Sequence, residues 1–328
     1  MEANDREELI AAAADAHVVI LHTDRFNPRR VRRIGADVID RLDRCGLIPS
    51  TGIGVEAIDV EAATRRGILV TNMGETLAED VADHAWMLLL ATARRATWLH
   101  EMATSGRWDE AAAVLFPVLK TNLPRINGKT LGLVAFGPIA RRVARRAKGF
   151  RMRCLAYDPY VDPAVFDDEG VERAELDDVL GQSDFVSSHV PLTATTERLL
   201  GDAQFRRMKP GAIFVNTGRG RTVDEAALIA ALGEGRIAGA GLDVLEQEPP
   251  GPDNPLTRMP NVVLTPHIGS ATNECDVERR RLIGQQIADA LQGRIPANVV
   301  NRDVLPRWRF ATPDVRGGPD RVMQDQVP

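Results

Sequence analysis

The sequence predicts an α/β protein: a doubly wound, parallel-sheet domain joined to a smaller α/β domain. Three observations predict it. From Thr130 onward, short apolar runs recur at regular intervals, with helical stretches between most of them. The runs are continuous rather than alternating, as in strands buried on both faces by a helical layer. Polar residues able to do chemistry stand directly after several of the runs, where an open parallel sheet places its ligands.

In chain order, residues 5–15 read as a helix and Val18-Val19-Ile20-Leu21 as a strand. A helix with apolar spacing covers Val31 to Leu42. Gly46-Leu47-Ile48 leads into the loop Ser50-Thr51-Gly52-Ile53-Gly54, followed by a short helix near 56–66 and a strand at Ile68-Leu69-Val70. Glu79 to Arg95 is a long helix whose face Val81, Ala85, Leu88, Leu89 is apolar, and a second helical stretch lies near 97–105. The larger domain then offers strands at 131–136, 152–157, 184–188, 212–216, 238–243 and 261–265. Right-handed crossovers between them give helices on both faces. Asn273 to Leu291 is one more long helix. From Ala311 the chain carries Pro, Gly and Asp with little apolar content, so 311–328 is expected to be a disordered tail. The expected division is 1–80 with 270–310 for a discontinuous smaller domain and 81–269 for the larger one.

Composition excludes several classes. With 328 residues, 44% apolar and 27% charged, the chain suits two ordinary soluble domains. A net charge of −5 argues against a nucleic-acid binder. The basic run Arg29-Arg30-Val31-Arg32-Arg33 reads as a solvated helix face. Cys45, Cys154 and Cys275 are far apart and form no CxxC pair, so neither a disulfide framework nor a metal site is expected. Met1 to Glu8 lacks a signal-peptide core, and the most apolar stretch, Ala85 to Ala93, is too short to span a bilayer. A cytoplasmic protein with no membrane partner is the expectation.

Leu131 to Ala140 reads as a strand turning into a helix, with Ala135, Gly137 and Ala140 at the places where a dinucleotide-binding turn carries glycines. Of the three, only Gly137 is glycine. Pro138 suits the first helical turn, where its missing N–H is harmless, and Ile139 follows it. The helix N-terminus still favours a diphosphate. Asp158 closes the next strand, about 20 residues beyond Gly137, as expected of a carboxylate that grips the adenosine ribose. Pro159 and Tyr160 follow, with no Arg to welcome a 2′-phosphate, so NAD is the expected cofactor of a Rossmann domain.

Three further residues carry the chemistry. Arg219 lies in Asn216-Thr217-Gly218-Arg219-Gly220, Glu248 in Glu246-Gln247-Glu248-Pro249 and His267 in Thr265-Pro266-His267-Ile268-Gly269-Ser270. A guanidinium, a carboxylate and an imidazole suffice to hold an anionic substrate and move one proton. Read singly, each has a bland alternative: a surface arginine, loop filler before two prolines, and a capping or packed histidine, as His84 and His189 could also be.

With these segments the chain resembles the D-isomer-specific 2-hydroxyacid dehydrogenases, in their phosphoglycerate dehydrogenase-like and C-terminal-binding-protein-like branch. Glu79-Asp80-Val81-Ala82-Asp83-His84, Ala156 to Val161, His189-Val190-Pro191-Leu192-Thr193 and Ala240-Gly241-Leu242-Asp243-Val244 add to the match. The resemblance implies an NAD-dependent oxidoreductase (EC 1.1.1.-) moving a hydride between NAD(H) and a small 2-hydroxy or 2-keto acid. It implies that Arg219 clamps the substrate carboxylate, that His267 exchanges the proton and that Glu248 orients the imidazole. Amides of Gly52, Ile53 and Gly54 would complete the carboxylate site. Val190, Pro191, Thr217, Gly218, Asp243, Gly269 and Ser270 would line the cofactor, with Asp243 facing the nicotinamide carboxamide. A flavodoxin-like smaller domain, closure of a cleft and a homodimer built on the 79–105 helices are further implications. An NAD(H)-responsive, corepressor-like binding protein with little turnover is the alternative.

Some features depart from the family pattern. Ala135 places a methyl where the turn wants glycine, which predicts weaker NAD binding. Ser50 stands where this branch usually has Arg, which argues against a multiply anionic substrate. Nothing precedes the 5–15 helix, so the smaller domain is expected to lack its first strand. The chain closes soon after the 273–291 helix, so no regulatory domain is expected.

Overall fold

The computed structural model describes residues 6–21, 33–109 and 123–316. Arg29 to Arg32 of the basic run, the first two residues of the expected Val31–Leu42 helix and residues 317–328 lie outside them. The chain divides into two compact units, Met1–Leu77 with Thr272–Pro328, and Ala78–Ala271.

In the first unit, β1 (Leu47–Pro49) and β2 (Leu69–Thr71) pair in parallel with Leu47 opposite Leu69. Side chains alternate across the pair. Ile48 and Val70 enter a core with Val38, Ile39, Leu42 and Ile68, while Leu47 and Leu69 meet Ala290, Val304 and Trp308 on the other face. The run Val18–Leu21 lies alongside β1 through bridges from Val18 to Leu47 and from Leu21 to Ser50. Among the described residues no further strand pairs with that run.

The expected Val31–Leu42 helix is reduced to Ala36–Ile39, because Ile34 bridges Ile58 and Gly35 is extended (φ −84°, ψ 177°), which delays the first helical turn. The return segment carries the Asn273–Leu291 helix and closes with Trp308, whose Nε1 donates to Gly46 O at 2.7 Å. The first part of the expected disordered tail is ordered. Ala311 and Val315 pack with Phe310 against the Trp308 cluster, and Pro313–Arg316 is a short helix.

The second unit is built on one sheet: β3 (Thr130–Val134), β4 (Arg153–Tyr157), β5 (Glu172–Arg173), β6 (Phe185–Ser188), β7 (Ile213–Asn216), β8 (Gly239–Leu242) and β9 (Val262–Leu264). The spatial order is β5-β4-β3-β6-β7-β8-β9 with every pair parallel. Order reverses between β3 and β6, the topological switch point of a doubly wound sheet. The six apolar runs expected as strands all form; β5, two exposed charged residues at the sheet edge, has no apolar signal to read.

Each face of this sheet has its own core. Leu131, Leu133, Phe185, Ile213 and Val215 face the helices Ala78–Ala93 and Pro138–Ala147, where Trp86 stacks on Phe150 at 4.9 Å and donates Nε1 to Val143 O at 3.0 Å. Val134, Val186, Phe214, Ala240 and Leu242 face Phe205, Leu228, Ala231 and Leu232 of the helices Asp202–Arg207 and Glu225–Gly233. Because both faces are filled by apolar side chains, the carboxyl edge is the place left for polar chemistry.

Candidate active site

The turn after β3 is the first feature of that edge. Ala135 sits at φ +70° and donates its N–H to Tyr157 O at 2.8 Å. Gly137 caps the Pro138–Ala147 helix with an ordinary negative φ of −72°. A Cβ built on Gly137 would meet no atom within 4 Å, so the protein's own packing does not demand glycine there. The space suits a ligand approaching the backbone, as a diphosphate does at a helix N-terminus. At the third fingerprint place, Ala140 is fully buried in the core and its methyl is accommodated.

Asp158 follows β4. Its Oδ2 accepts from Phe136 N at 2.8 Å, and its Oδ1 accepts from Tyr160 N at 2.9 Å and Val161 N at 3.3 Å. Oδ2 keeps a second lone pair, enough for a ribose hydroxyl. These residues therefore fit a dinucleotide: room at Gly137 for phosphate and an acceptor at Asp158 for the ribose.

His189 follows β6 and is packed, not poised. Its Nε2 lies 2.9 Å from Ser187 Oγ and its Nδ1 3.3 Å from Thr217 Oγ1, tying the ends of β6 and β7 together. Burial pushes its pKa down to about 3, so it is neutral. After β7, Asn216 Oδ1 accepts from Gly218 N (3.0 Å), and Arg219 O receives Asn216 Nδ2 (3.1 Å) and Thr222 Oγ1 (2.7 Å). The backbone that carries Arg219 is thus held on both sides. Gly220 is glycine for close approach: a Cβ there would fall 1.9 Å from the Leu245 carbonyl. The Arg219 guanidinium donates Nη1 to Gly218 O at 2.8 Å.

His267 lies past β9 at φ +56°, in the left-handed region. Its Nδ1 is 2.8 Å from Glu248 Oε2 and 3.0 Å from Oε1. A carboxylate only accepts, so Nδ1 carries the hydrogen and Nε2 is the basic nitrogen of the neutral ring. Glu248 is itself oriented by Leu245 N, which donates to Oε1 at 3.2 Å. Asp243, at the end of β8 and only 3% exposed, accepts from Thr265 Oγ1 (2.6 Å), Ile268 N (2.9 Å) and Gly269 N (2.9 Å). Burial alone would raise its pKa; hydrogen bonds from His84, Thr265 and Ile268 outweigh it and hold the carboxyl at about 2. The two amides that follow His267 are thereby anchored to this carboxylate. β7, β8 and β9 are consecutive neighbours, so the turns that carry Arg219 and His267 leave the same edge of the sheet.

In the first unit, the Gly52–Gly54 loop is tied through its carbonyls. Gly52 O accepts from Met73 N (3.1 Å), Ile53 O from Asn72 Nδ2 (2.8 Å) and Gly54 O from Ser50 Oγ (3.1 Å). A trans peptide points N–H opposite to C=O. The N–H groups of Ile53 and Gly54 are therefore turned away from these contacts, whereas Gly52 N donates to Ser50 Oγ at 3.3 Å. Ser50 is fully buried as the brace of this loop.

The sequence left one further residue at this edge open between packing and function. His84 Nε2 lies 2.8 Å from Thr265 Oγ1 and 3.3 Å from Asp243 Oδ1. It lies inside the Ala78–Ala93 helix among Glu79, Asp80, Asp83 and apolar residues, with no adjacent turn signal to mark a role.

A parallel sheet with a helix N-terminus at its switch point, an acid on the second strand and an acid-oriented imidazole at the same edge defines a nicotinamide-dependent oxidoreductase. Residues 86–269 match the NAD-binding domain of the D-isomer-specific 2-hydroxyacid dehydrogenases. The chain is 44% identical over 272 residues to a glyoxylate reductase of Korarchaeum cryptofilum, covering 83% of this chain and 81% of the relative. It is 41% identical over 273 residues to a glyoxylate reductase of Thermococcus litoralis, covering 83% and 82%. Among solved structures, D-mandelate dehydrogenase of Rhodotorula graminis superposes with a TM-score of 0.83 at 31% identity, covering 90% of this chain and 87% of that one. A glyoxylate reductase from Paecilomyes thermophila gives 0.80 at 30% identity, covering 90% and 88%.

The chain belongs to the D-isomer-specific 2-hydroxyacid dehydrogenase family. It is an NAD-dependent oxidoreductase that transfers a hydride between NAD(H) and a 2-hydroxy or 2-keto acid. Among the described residues no helix is long and apolar enough to cross a membrane.

Proposed function

We propose that this enzyme reduces a small, singly charged 2-keto acid of the glyoxylate kind, with Arg219, Glu248 and His267 as its catalytic set. Arg219 clamps the substrate carboxylate with its planar fork of donors. His267 Nε2 gives a proton to the C2 carbonyl oxygen, and in the reverse direction takes it back. Glu248 holds the imidazole by Nδ1 and offsets the charge it carries when protonated. Bound NADH supplies the hydride. Gly137, Pro138 and Ile139 hold the diphosphate, Asp158 the ribose, and Val190, Pro191, Thr217, Gly218, Asp243, Gly269 and Ser270 line the nicotinamide half. The N–H groups of Ile53 and Gly54 are assigned to the substrate carboxylate, with Gly52 shaping the loop through its bond to Ser50 Oγ. The unit Ala78–Ala271 serves as the NAD-binding domain and the other as the substrate domain, in a cytoplasmic homodimer formed through the helices between 78 and 104.

The observation that carries this reading is the His267–Glu248 contact at 2.8 Å, made by an imidazole held at φ +56°. Strain of that kind persists where surrounding structure over-determines it, and it gathers at active sites. Support for the substrate comes from two sides. Two relatives at 41% and 44% identity are glyoxylate reductases. The Ser50 hydroxyl also braces its own loop at 3.1 Å from Gly54 O, where the branch offers a second positive charge. The binding-protein alternative is not favoured, because it has no need of an intact imidazole–carboxylate pair.

The test is NADH consumption with glyoxylate, pyruvate, hydroxypyruvate and 3-phosphonooxypyruvate. Turnover should be best with an uncharged or absent C3 substituent and should fall at least about 100-fold in His267→Ala. Undiminished turnover in that variant would remove His267 from the mechanism. A preference for the phosphorylated acid would remove the substrate assignment.

A further inference from the structure

We propose that His84 is a positioning residue for the nicotinamide end of the cofactor site, acting through Thr265 on Asp243. The inference rests on the assignment of Asp243 to the cofactor's carboxamide. It starts from the direction of three hydrogen bonds. Asp243 can only accept, so the 2.6 Å contact with Thr265 Oγ1 uses the hydroxyl hydrogen. Thr265 Oγ1 must then act as acceptor at its 2.8 Å contact with His84, and His84 Nε2 carries the hydrogen. The chain runs one way: His84 Nε2–H to Thr265 Oγ1–H to Asp243 Oδ1.

The consequence is a count of lone pairs. Oδ1 receives Thr265 Oγ1 and Ile268 N, with His84 Nε2 closing in at 3.3 Å, and so has nothing left to offer. Oδ2 receives Gly269 N alone at 2.9 Å and keeps one acceptor position. His84 therefore decides which oxygen of Asp243 remains open to an amide donor, and in which direction that oxygen faces. Without the imidazole, the threonine oxygen loses its donor, and the carboxylate is left to Thr265 and the amides of Ile268 and Gly269 alone. His84 comes from the long helix Ala78–Ala93, packed across the sheet face, so this anchor lies outside the Thr265–Ser270 loop that it braces. The side chain is mostly buried, at 13% exposure, and does not need to touch the substrate for this role.

The test separates the two ends of the dinucleotide by comparing NADH with ADP-ribose, which lacks the nicotinamide, in direct binding measurements on the full chain. His84→Leu should weaken NADH about 5-fold, the scale of one net hydrogen bond, and leave ADP-ribose unchanged within about 2-fold. His84→Gln places an amide N–H near the Nε2 position and should restore NADH binding. Thr265→Val should copy His84→Leu, and Thr265→Ser should resemble the parent. Equal weakening of both ligands would mean a merely structural histidine and would overturn the proposal, as would no change in either or failure of the glutamine to rescue. Asp243→Asn serves as the internal reference. If it alters the NADH to ADP-ribose ratio while His84→Leu does not, only the role of His84 fails. If neither alters it, the carboxamide assignment of Asp243 falls and the proposal falls with it.

Discussion

The turn after β3 and the loop after β9 each hold a non-glycine residue in the left-handed region, Ala135 at φ +70° and His267 at φ +56°. The supports differ. Around His267, Asp243 accepts the next two backbone N–H groups at 2.9 Å each, and Glu248 grips the side chain at 2.8 Å. Around Ala135 there is a backbone bond to Tyr157 O at 2.8 Å and, one residue on, Phe136 N to Asp158 at 2.8 Å, while the methyl group has no chemical task. A left-handed conformation costs an L-residue roughly 1–2 kcal/mol in either place. At His267 the strain presents an imidazole that no glycine could supply. At Ala135 it presents nothing, and glycine would serve the turn better.

The comparison breaks most visibly if the wiring around His267 is dispensable. Glu248→Gln keeps the size of the side chain but removes the anion that fixes the Nδ1 tautomer and balances the protonated ring. The expected loss is about 100-fold or more in kcat for keto-acid reduction, with the fold intact, by analogy with other carboxylate-oriented histidines. A kcat within about 3-fold of the parent would show that the strained loop holds His267 without help from Glu248.

A second histidine at the same edge sharpens the contrast, because it is there for the fold. Its ordinary pKa is 6.5, and burial lowers that of His189 to about 3. Between those values the unfolded chain binds a proton that the folded one does not, so stability falls as the pH is lowered. The slope is about 1.4 kcal/mol per pH unit for this group. Above pH 6.5 it contributes no pH dependence, and below about 3 its share of the loss is complete. Denaturant unfolding of His189→Gln between pH 7 and 4 should show a shallower acid limb than the parent. Parallel limbs would mean that His189 is solvated in the native state.

How legible all this was in the sequence depended on whether a residue's role was written into its neighbours. The strands of the large sheet stood out because burial on both faces leaves unbroken apolar runs such as Ile213-Phe214-Val215. β5 was invisible because an edge strand of Glu172 and Arg173 buries nothing. The reduction of the 31–42 helix was equally unreadable, since it follows from Ile34 pairing with Ile58, a contact between residues distant in sequence. Arg219, Glu248 and His267 were visible because each sits in a run of turn-forming residues directly after a strand. His84 and His189 were left open between packing and function, because what decides them is tertiary: Thr265 and Asp243 for one, Ser187 and Thr217 for the other. Nothing local to either residue distinguishes them.

The smallest expected effect bears on the weaker side of the comparison. The sequence suggested that Ala135 weakens NAD binding, but the protein's own bonds, Ala135 N to Tyr157 O and Phe136 N to Asp158, hold the turn at φ +70°. A conformational cost present before the ligand arrives subtracts from folding, not from affinity. Ala135→Gly should therefore stabilise the fold. Relief of the left-handed strain, roughly 1–2 kcal/mol, is partly offset by the larger entropy that glycine loses on folding, roughly 0.5–1 kcal/mol. The net gain is about 0.5–1 kcal/mol, which for a unit of this size corresponds to a rise in Tm of about 1–4 °C. The NAD dissociation constant should change by less than about 2-fold. A large tightening of NAD with no change in Tm would show instead that the free turn relaxes away from φ +70° and that the methyl obstructs the diphosphate directly. In that event the strain at Ala135 arises on binding, and the two left-handed residues differ in when they are strained rather than in how they are held.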